Sequence, residues 1–94
     1  MINLINKYVE ILNSKSSTHN FSFTKGRKYY KIVEINKDGE PTSAHSFVDF
    51  EGNLYKVANW NTPAKGIRYN LNTDMELLEK VADFYTSYLY KHSC

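Results

Sequence analysis

Apolar residues near the start of the chain recur every three or four positions. Ile2, Ile5, Val9 and Leu12 form one stripe, and Leu4, Tyr8 and Ile11 widen it. This spacing predicts an amphipathic helix of about three turns. The polar run from Asn13 to Thr18 is poor in helix formers and should end it. The period then changes. Phe21-Ser22-Phe23 alternates, and Tyr29 to Ile35 is rich in β-branched and aromatic residues. Ser43 to Phe50 and Leu54 to Trp60 read as further strands, with a short last one at Ile67 to Leu71. The segments between them are rich in turn-forming residues: Lys25-Gly26-Arg27, Asn36 to Pro41, Glu51-Gly52 and Asn61 to Gly66. Thr73-Asp74-Met75-Glu76 fits a capping box, in which Thr73 and Glu76 exchange bonds with orphan backbone N–H groups. Leu78, Val81, Ala82, Tyr85, Tyr88 and Leu89 then recur at helical spacing to near the C-terminus. The fold this order predicts is α+β, a three- or four-stranded antiparallel sheet flanked by N-terminal and C-terminal helices.

Register decides which residues share a face. Closing the hairpin on the two residues Glu51-Gly52 sets Val48 opposite Tyr55 and Ser46 opposite Val57. Ala44, Val48, Phe50, Tyr55 and Val57 then form an apolar face for the helices. His45, Phe47, Asp49, Lys56, Ala58 and Trp60 occupy the other. That mixed face reads in two ways. It is an exposed platform on which flat ligands stack, or Phe47 and Trp60 are core beneath the second helix.

With 94 residues, the chain suits a single domain spanning 1–94 and is too short for a separate cofactor-binding half. Aromatic residues make up 15% of it, which weighs against disorder. Cys94 is the only cysteine, so no internal disulfide and no cysteine-based zinc site is expected. His19, His45 and His92 are too scattered for a metal motif. A nucleophile elbow, a carboxylate pair and a cysteine–histidine arrangement are all missing. The expectation is a non-enzymatic protein with no cofactor and no metal. The start of the chain carries no apolar leader core, so a cytoplasmic location without membrane association is expected. A core this small also favours a homo-oligomer.

The net charge of +2 is modest, but its distribution is uneven. Residues 25–73 hold eight basic and five acidic side chains, whereas residues 74–94 hold two basic and four acidic ones. Lys25, Arg27, Lys28 and Lys31 fall within seven residues without an acid among them. Such a turn can neutralise phosphate, or it is a solvated turn whose lysines guard an edge strand. A second segment joins Trp60, Asn61, Pro63, Lys65, Gly66, Arg68 and Tyr69. Trp60 and Tyr69 would stack on a base, while Lys65 and the planar fork of Arg68 would meet phosphate. Asn61 would read a base edge, and His45 would add a polar contact. The same residues also suit a structural loop anchored by its tryptophan.

Gly26-Arg27-Lys28-Tyr29, His45-Ser46-Phe47-Val48-Asp49 and Trp60 with Pro63-Ala64-Lys65-Gly66-Ile67-Arg68-Tyr69 together resemble a group of short proteins encoded by tailed bacteriophages. The likeness covers residues 26–71, with Asn59 where a serine is common. It implies a phage accessory protein in a bacterial host's cytoplasm, and supplies no chemistry. Small phage accessory proteins often block host machinery or defence, by masking a protein or by sequestering a signal molecule.

The function expected from these residues is non-enzymatic binding of a phosphate-bearing nucleotide, including a cyclic nucleotide of host antiviral defence. The binding residues would be Trp60, Lys65, Arg68, Tyr69, Arg27, His45 and Asn61. One alternative is nucleic-acid binding through the basic segments Lys25–Lys31 and Lys65–Arg68. Another is inhibition of a host protein through the acidic helix face of Asp74, Glu76, Glu79 and Asp83.

Overall fold

A computed structural model describes residues 2–16, 19–82 and 89. Asp83, Tyr85, Tyr88, His92 and Cys94, weighed above, lie outside the described residues. Helix α1 spans Ile2–Ser14. Strands β1 (Asn20–Lys25), β2 (Tyr29–Ile35), β3 (Pro41–Asp49) and β4 (Asn53–Tyr55) follow. Next come β5 (Val57–Asn59), β6 (Thr62–Pro63), β7 (Tyr69–Asn70) and helix α2 (Met75–Val81). The main sheet is antiparallel and runs β1-β2-β3-β4-β7, while β5 and β6 make a separate small hairpin. The protein is therefore α+β with helices flanking an antiparallel sheet. The two-residue β7 brings the strand count to five.

The stripe on α1 buries Ile5, Tyr8, Val9, Ile11 and Leu12. They meet Phe21, Tyr30, Ile32, Val48, Leu54 and Tyr69 from the sheet, with Leu78 and Ala82 at α2 and Leu89 beyond it. Both helices thus cover one face of the sheet. Tyr8 also reaches into that face to hydrogen-bond the Ser46 hydroxyl at 3.1 Å.

The β3–β4 hairpin closes differently from the two-residue expectation. Phe47 pairs with Tyr55 and Val48 with Leu54, so the loop is Phe50-Glu51-Gly52. The Asp49 carboxylate accepts from the backbone N–H groups of Glu51 and Asn53, both at 2.9 Å, and so holds the turn. Gly52 has φ of +93°, the left-handed conformation that ends a three-residue loop. The shift of one residue exchanges the faces of β4. Leu54, not Tyr55, enters the helix-side core, and Tyr55 joins Phe47 on the opposite face.

His45 is corrected for a related reason. Ile32 pairs with Ser46 and Val33 with Ala44, which leaves His45 as the extra residue of a β-bulge. Its ring turns to the helix side, edge-on to Phe21 at 5.2 Å, with Nδ1 3.0 Å from the Ser46 hydroxyl. It does not share the face of Phe47.

The start of α2 also departs from the capping-box pattern. Asp74, not Thr73, is the N-cap, and it makes no side-chain bond to the helix. Its carboxylate instead accepts from the Asn70 backbone N–H at 2.9 Å. Helix α2 ends at Val81, where Ala82 is extended; the helical periodicity beyond it falls on residues 83–88, outside the described residues. Leu89 is nonetheless fully buried in the core.

Candidate functional site

Register places the chemistry of the second sheet face. Thr24 pairs with Lys31, Lys31 with Phe47, and Phe47 with Tyr55, so these side chains share one side of the sheet. Tyr29 pairs with Asp49 beside them. Phe47 is 2% exposed although neither α1 nor α2 packs on this face. Tyr29 meets it edge-on at 5.8 Å and meets Tyr55 in the same way at 5.8 Å. The result is a rigid aromatic floor.

Asp49 and Tyr55 fix one end of this floor. The Tyr55 hydroxyl donates to Asp49 Oδ2 at 3.0 Å, and the Asn53 amide donates to the same oxygen at 3.0 Å. Burial raises the pKa of Asp49, but bonds from Asn53, Tyr55 and Glu51 outweigh it and hold the carboxyl below its ordinary 3.8. Burial, followed by the bond to Asp49 and its charge, pushes the Tyr55 phenol up to about 12. Asp49 is thus an ionised, hydrogen-bonded brace.

The basic turn Gly26-Arg27-Lys28 leads into Tyr29, the residue paired with Asp49, and so lies at the same end of the strands. It is closed by the Gly26 N–H donating to the Tyr29 carbonyl at 2.8 Å. Between this turn and the β5–β6 hairpin lies a cleft of about 250 Å³. Arg27, Lys28 and Lys31 line it together with Tyr29, Phe47 and Asn61. Among the described residues, no acid lies within ion-pair distance of these three cations.

Lys31 connects the cleft to Trp60. Its Nζ sits 4.2 Å from the centroid of the Trp60 ring and 6.0 Å from that of Phe47. Such cation–π contacts contribute about 0.5–1 kcal/mol at exposed sites. Nζ also donates to Asn61 Oδ1 at 3.4 Å. The hairpin that presents Trp60 and Asn61 is held by Ala64 N–H donating to the Lys56 carbonyl at 2.7 Å. The Asn59 side chain accepts from the Asn61 N–H at 3.0 Å and fixes the turn. Trp60 remains 44% exposed.

Of the residues selected from sequence, Arg27 and Asn61 line the cleft and Trp60 stands beside it. The remaining four are placed elsewhere. Tyr69 pairs with Leu54 and is 4% exposed in the core, so its ring cannot stack on a ligand. His45 is buried at 3% on the helix side. The Arg68 guanidinium is committed to backbone carbonyls. Its Nε donates to Leu89 at 2.7 Å, and its Nη1 to Gly66 at 3.1 Å and Lys65 at 3.4 Å. Lys65 is exposed in that loop and does not line the cleft. Tyr29 and Phe47 are site residues missing from the sequence selection. Their alternation with Lys31 across two strands was the signal, and it needed the correct register.

No helix among the described residues is long and apolar enough to cross a membrane. Comparison with curated proteins and with solved structures finds no match to either. A family model does match, over residues 2–91. The chain belongs to that family, which is described as a family of unknown function (DUF7717).

Proposed function

We propose that the protein is a non-enzymatic binder of a phosphate-bearing nucleotide, held in the cleft between the basic turn and the β5–β6 hairpin. The observation that carries this reading is the meeting of three cations, without acidic partners among the described residues, with the edge-on pair Tyr29 and Phe47 around one cleft of about 250 Å³. Phosphate suits the turn, where the Arg27 fork bonds two oxygens and Lys28 adds a point charge. A base suits the exposed face of Trp60, which takes any planar ring. The volume lies just below the usual range of about 300–1,000 Å³ for small-molecule sites, a scale that fits one nucleotide unit. With the likeness to phage proteins, the reading extends to an accessory protein that sequesters a nucleotide signal of host defence in the bacterial cytoplasm.

Calorimetric titration of nucleoside monophosphates and of a cyclic dinucleotide tests it, using wild type and an Arg27→Ala/Lys28→Ala variant. Saturable binding that the variant loses, with weak dependence on salt, is expected. A mononucleotide in a pocket neutralises few charges, whereas nucleic acid releases many counterions. Tight binding only to long single strands, weakening steeply with salt, would favour nucleic acid as the partner. Absence of any nucleotide binding would overturn the proposal.

A further inference from the structure

We infer that the cleft selects a nucleotide with a free terminal phosphate or diphosphate over one whose phosphate is closed in a cyclic diester. The selectivity rests on the nucleotide reading above and adds the form of the phosphate. The basic run divides between the two sides of the sheet. Lys25 pairs with the core residue Tyr30 and places its ammonium 5.6 Å from the Phe50 ring, away from the cleft. Arg27, Lys28 and Lys31 line the cleft, with Thr24 beside them as a further hydroxyl donor. Three positive charges therefore meet there, and no acid is among the lining residues. Asp49, opposite Tyr29 in the register, has its carboxylate taken up by its own hairpin loop.

Lys31 supplies the charge that separates the two kinds of ligand. It rises from β2 half-buried, so its stem and part of its ammonium are out of water. Its partners are the Trp60 ring at 4.2 Å, the Phe47 ring at 6.0 Å and one long bond to Asn61 at 3.4 Å. None of these carries a charge. A phosphate oxygen holds an ammonium more strongly than a ring face or an amide does, and the flexible lysine stem lets the ammonium swing to it. A cyclic diester offers one negative charge over its free oxygens, which the Arg27 fork can meet by itself. A terminal phosphate carries about two negative charges at neutral pH and one more free oxygen, and a diphosphate carries more of both. That added charge and oxygen are what Lys31 answers, with Lys28 beside it. The base plays no part in the choice.

The test is calorimetric titration of adenosine monophosphate, adenosine diphosphate, cyclic adenosine monophosphate and inorganic pyrophosphate, without divalent cations. The linear and cyclic monophosphates share base, sugar and phosphorus, and differ in the opened ring and its extra charge. Wild type, Lys31→Met and Lys31→Arg are compared. Methionine keeps an unbranched stem against the rings and removes the charge, whereas arginine keeps the charge. Wild type should bind the diphosphate tightest, and the linear monophosphate about tenfold tighter than the cyclic one, the worth of one charge-assisted hydrogen bond. Lys31→Met should weaken the linear monophosphate about tenfold and the cyclic one little, so that the gap closes, and Lys31→Arg should preserve it. The wild-type comparison decides the matter even where a variant does not fold. Equal affinities for the linear and cyclic monophosphates in wild type, or a gap that a folded Lys31→Met leaves unchanged, overturn the selectivity and leave nucleotide binding intact. Pyrophosphate binding as tight as the diphosphate's upholds the phosphate preference and overturns the nucleotide reading. Failure of all four to bind wild type overturns both.

Discussion

The side chain of Asn13 pairs with the backbone of Phe21 as a neighbouring strand would. Its Oδ1 accepts from the Phe21 N–H at 2.7 Å, and its Nδ2 donates to the Phe21 carbonyl at 3.2 Å. β1 is an edge of the five-stranded sheet, so these two groups would otherwise point away from the ladder. The last turn of α1 therefore docks on the edge and covers part of it. Asn13→Ala should destabilise the fold by about 1–3 kcal/mol, because Phe21 is buried and two polar groups lose their partners. A urea unfolding series measures this. The uncovered edge should also promote concentration-dependent association, visible by sedimentation. An unchanged unfolding midpoint would show that water replaces the amide without cost.

The Asp49–Tyr55 bond gives stability a defined pH dependence. The folded pKa of Asp49 is depressed from 3.8, so its contribution is full above that value and is lost as pH falls through the lower folded value. Tyr55 has the opposite sign. Its pKa rises from 10.0 to about 12, so its contribution is full below pH 10 and is lost as pH rises toward about 12. The difference in Tm between wild type and Asp49→Asn should therefore be largest near neutrality. It should shrink as pH falls below 3.8 and again as pH climbs above 10. A difference that stays constant across this range would mean the hydrogen bonds to Asp49 do not depend on its charge.

Arg68 should behave as a structural residue. Its guanidinium ties the Lys65-Gly66 turn to the carbonyl of Leu89. Arg68→Ala should cost about 1.5–3 kcal/mol of stability, the range for a charge-assisted hydrogen bond, and leave nucleotide affinity unchanged. Gly66→Ala should destabilise the same turn. Gly66 has φ of +96°, and an added Cβ would lie 2.7 Å from Arg68 Nη1. Thermal melts and ligand titrations on the same samples separate the two effects. A loss of affinity without a loss of stability in Arg68→Ala would return this residue to the binding site.

The sequence was most readable where a local rule acts alone. The stripe on α1 and the turn from Asn36 to Pro41 needed only spacing and turn chemistry. The Asn36 side chain duly accepts from the N–H groups of Asp38 and Glu40. The basic run at Lys25 to Lys31 was equally visible. Reading failed where one residue of register carried the outcome. Asp49 lengthens the hairpin loop, and His45 occupies a bulge; each change moves aromatic or polar side chains to the other face. Tyr29, Phe47 and Lys31 come together only once that register is known. Arg68 was legible as a planar cation near a tryptophan, but its partner is the carbonyl of Leu89, 21 residues away in sequence. Spacing cannot show such a contact.

The proposed nucleotide site lies between Arg27–Lys28 and Trp60–Asn61. The most direct measurement is an amide-proton correlation spectrum recorded while a nucleoside monophosphate is titrated into the wild-type protein. The largest shifts should fall on Thr24 to Lys31, Phe47 and Asn61, together with the indole N–H of Trp60, the chain's only tryptophan. Shifts centred instead on Lys65 to Tyr69, or no shifts at saturating nucleotide, would contradict it.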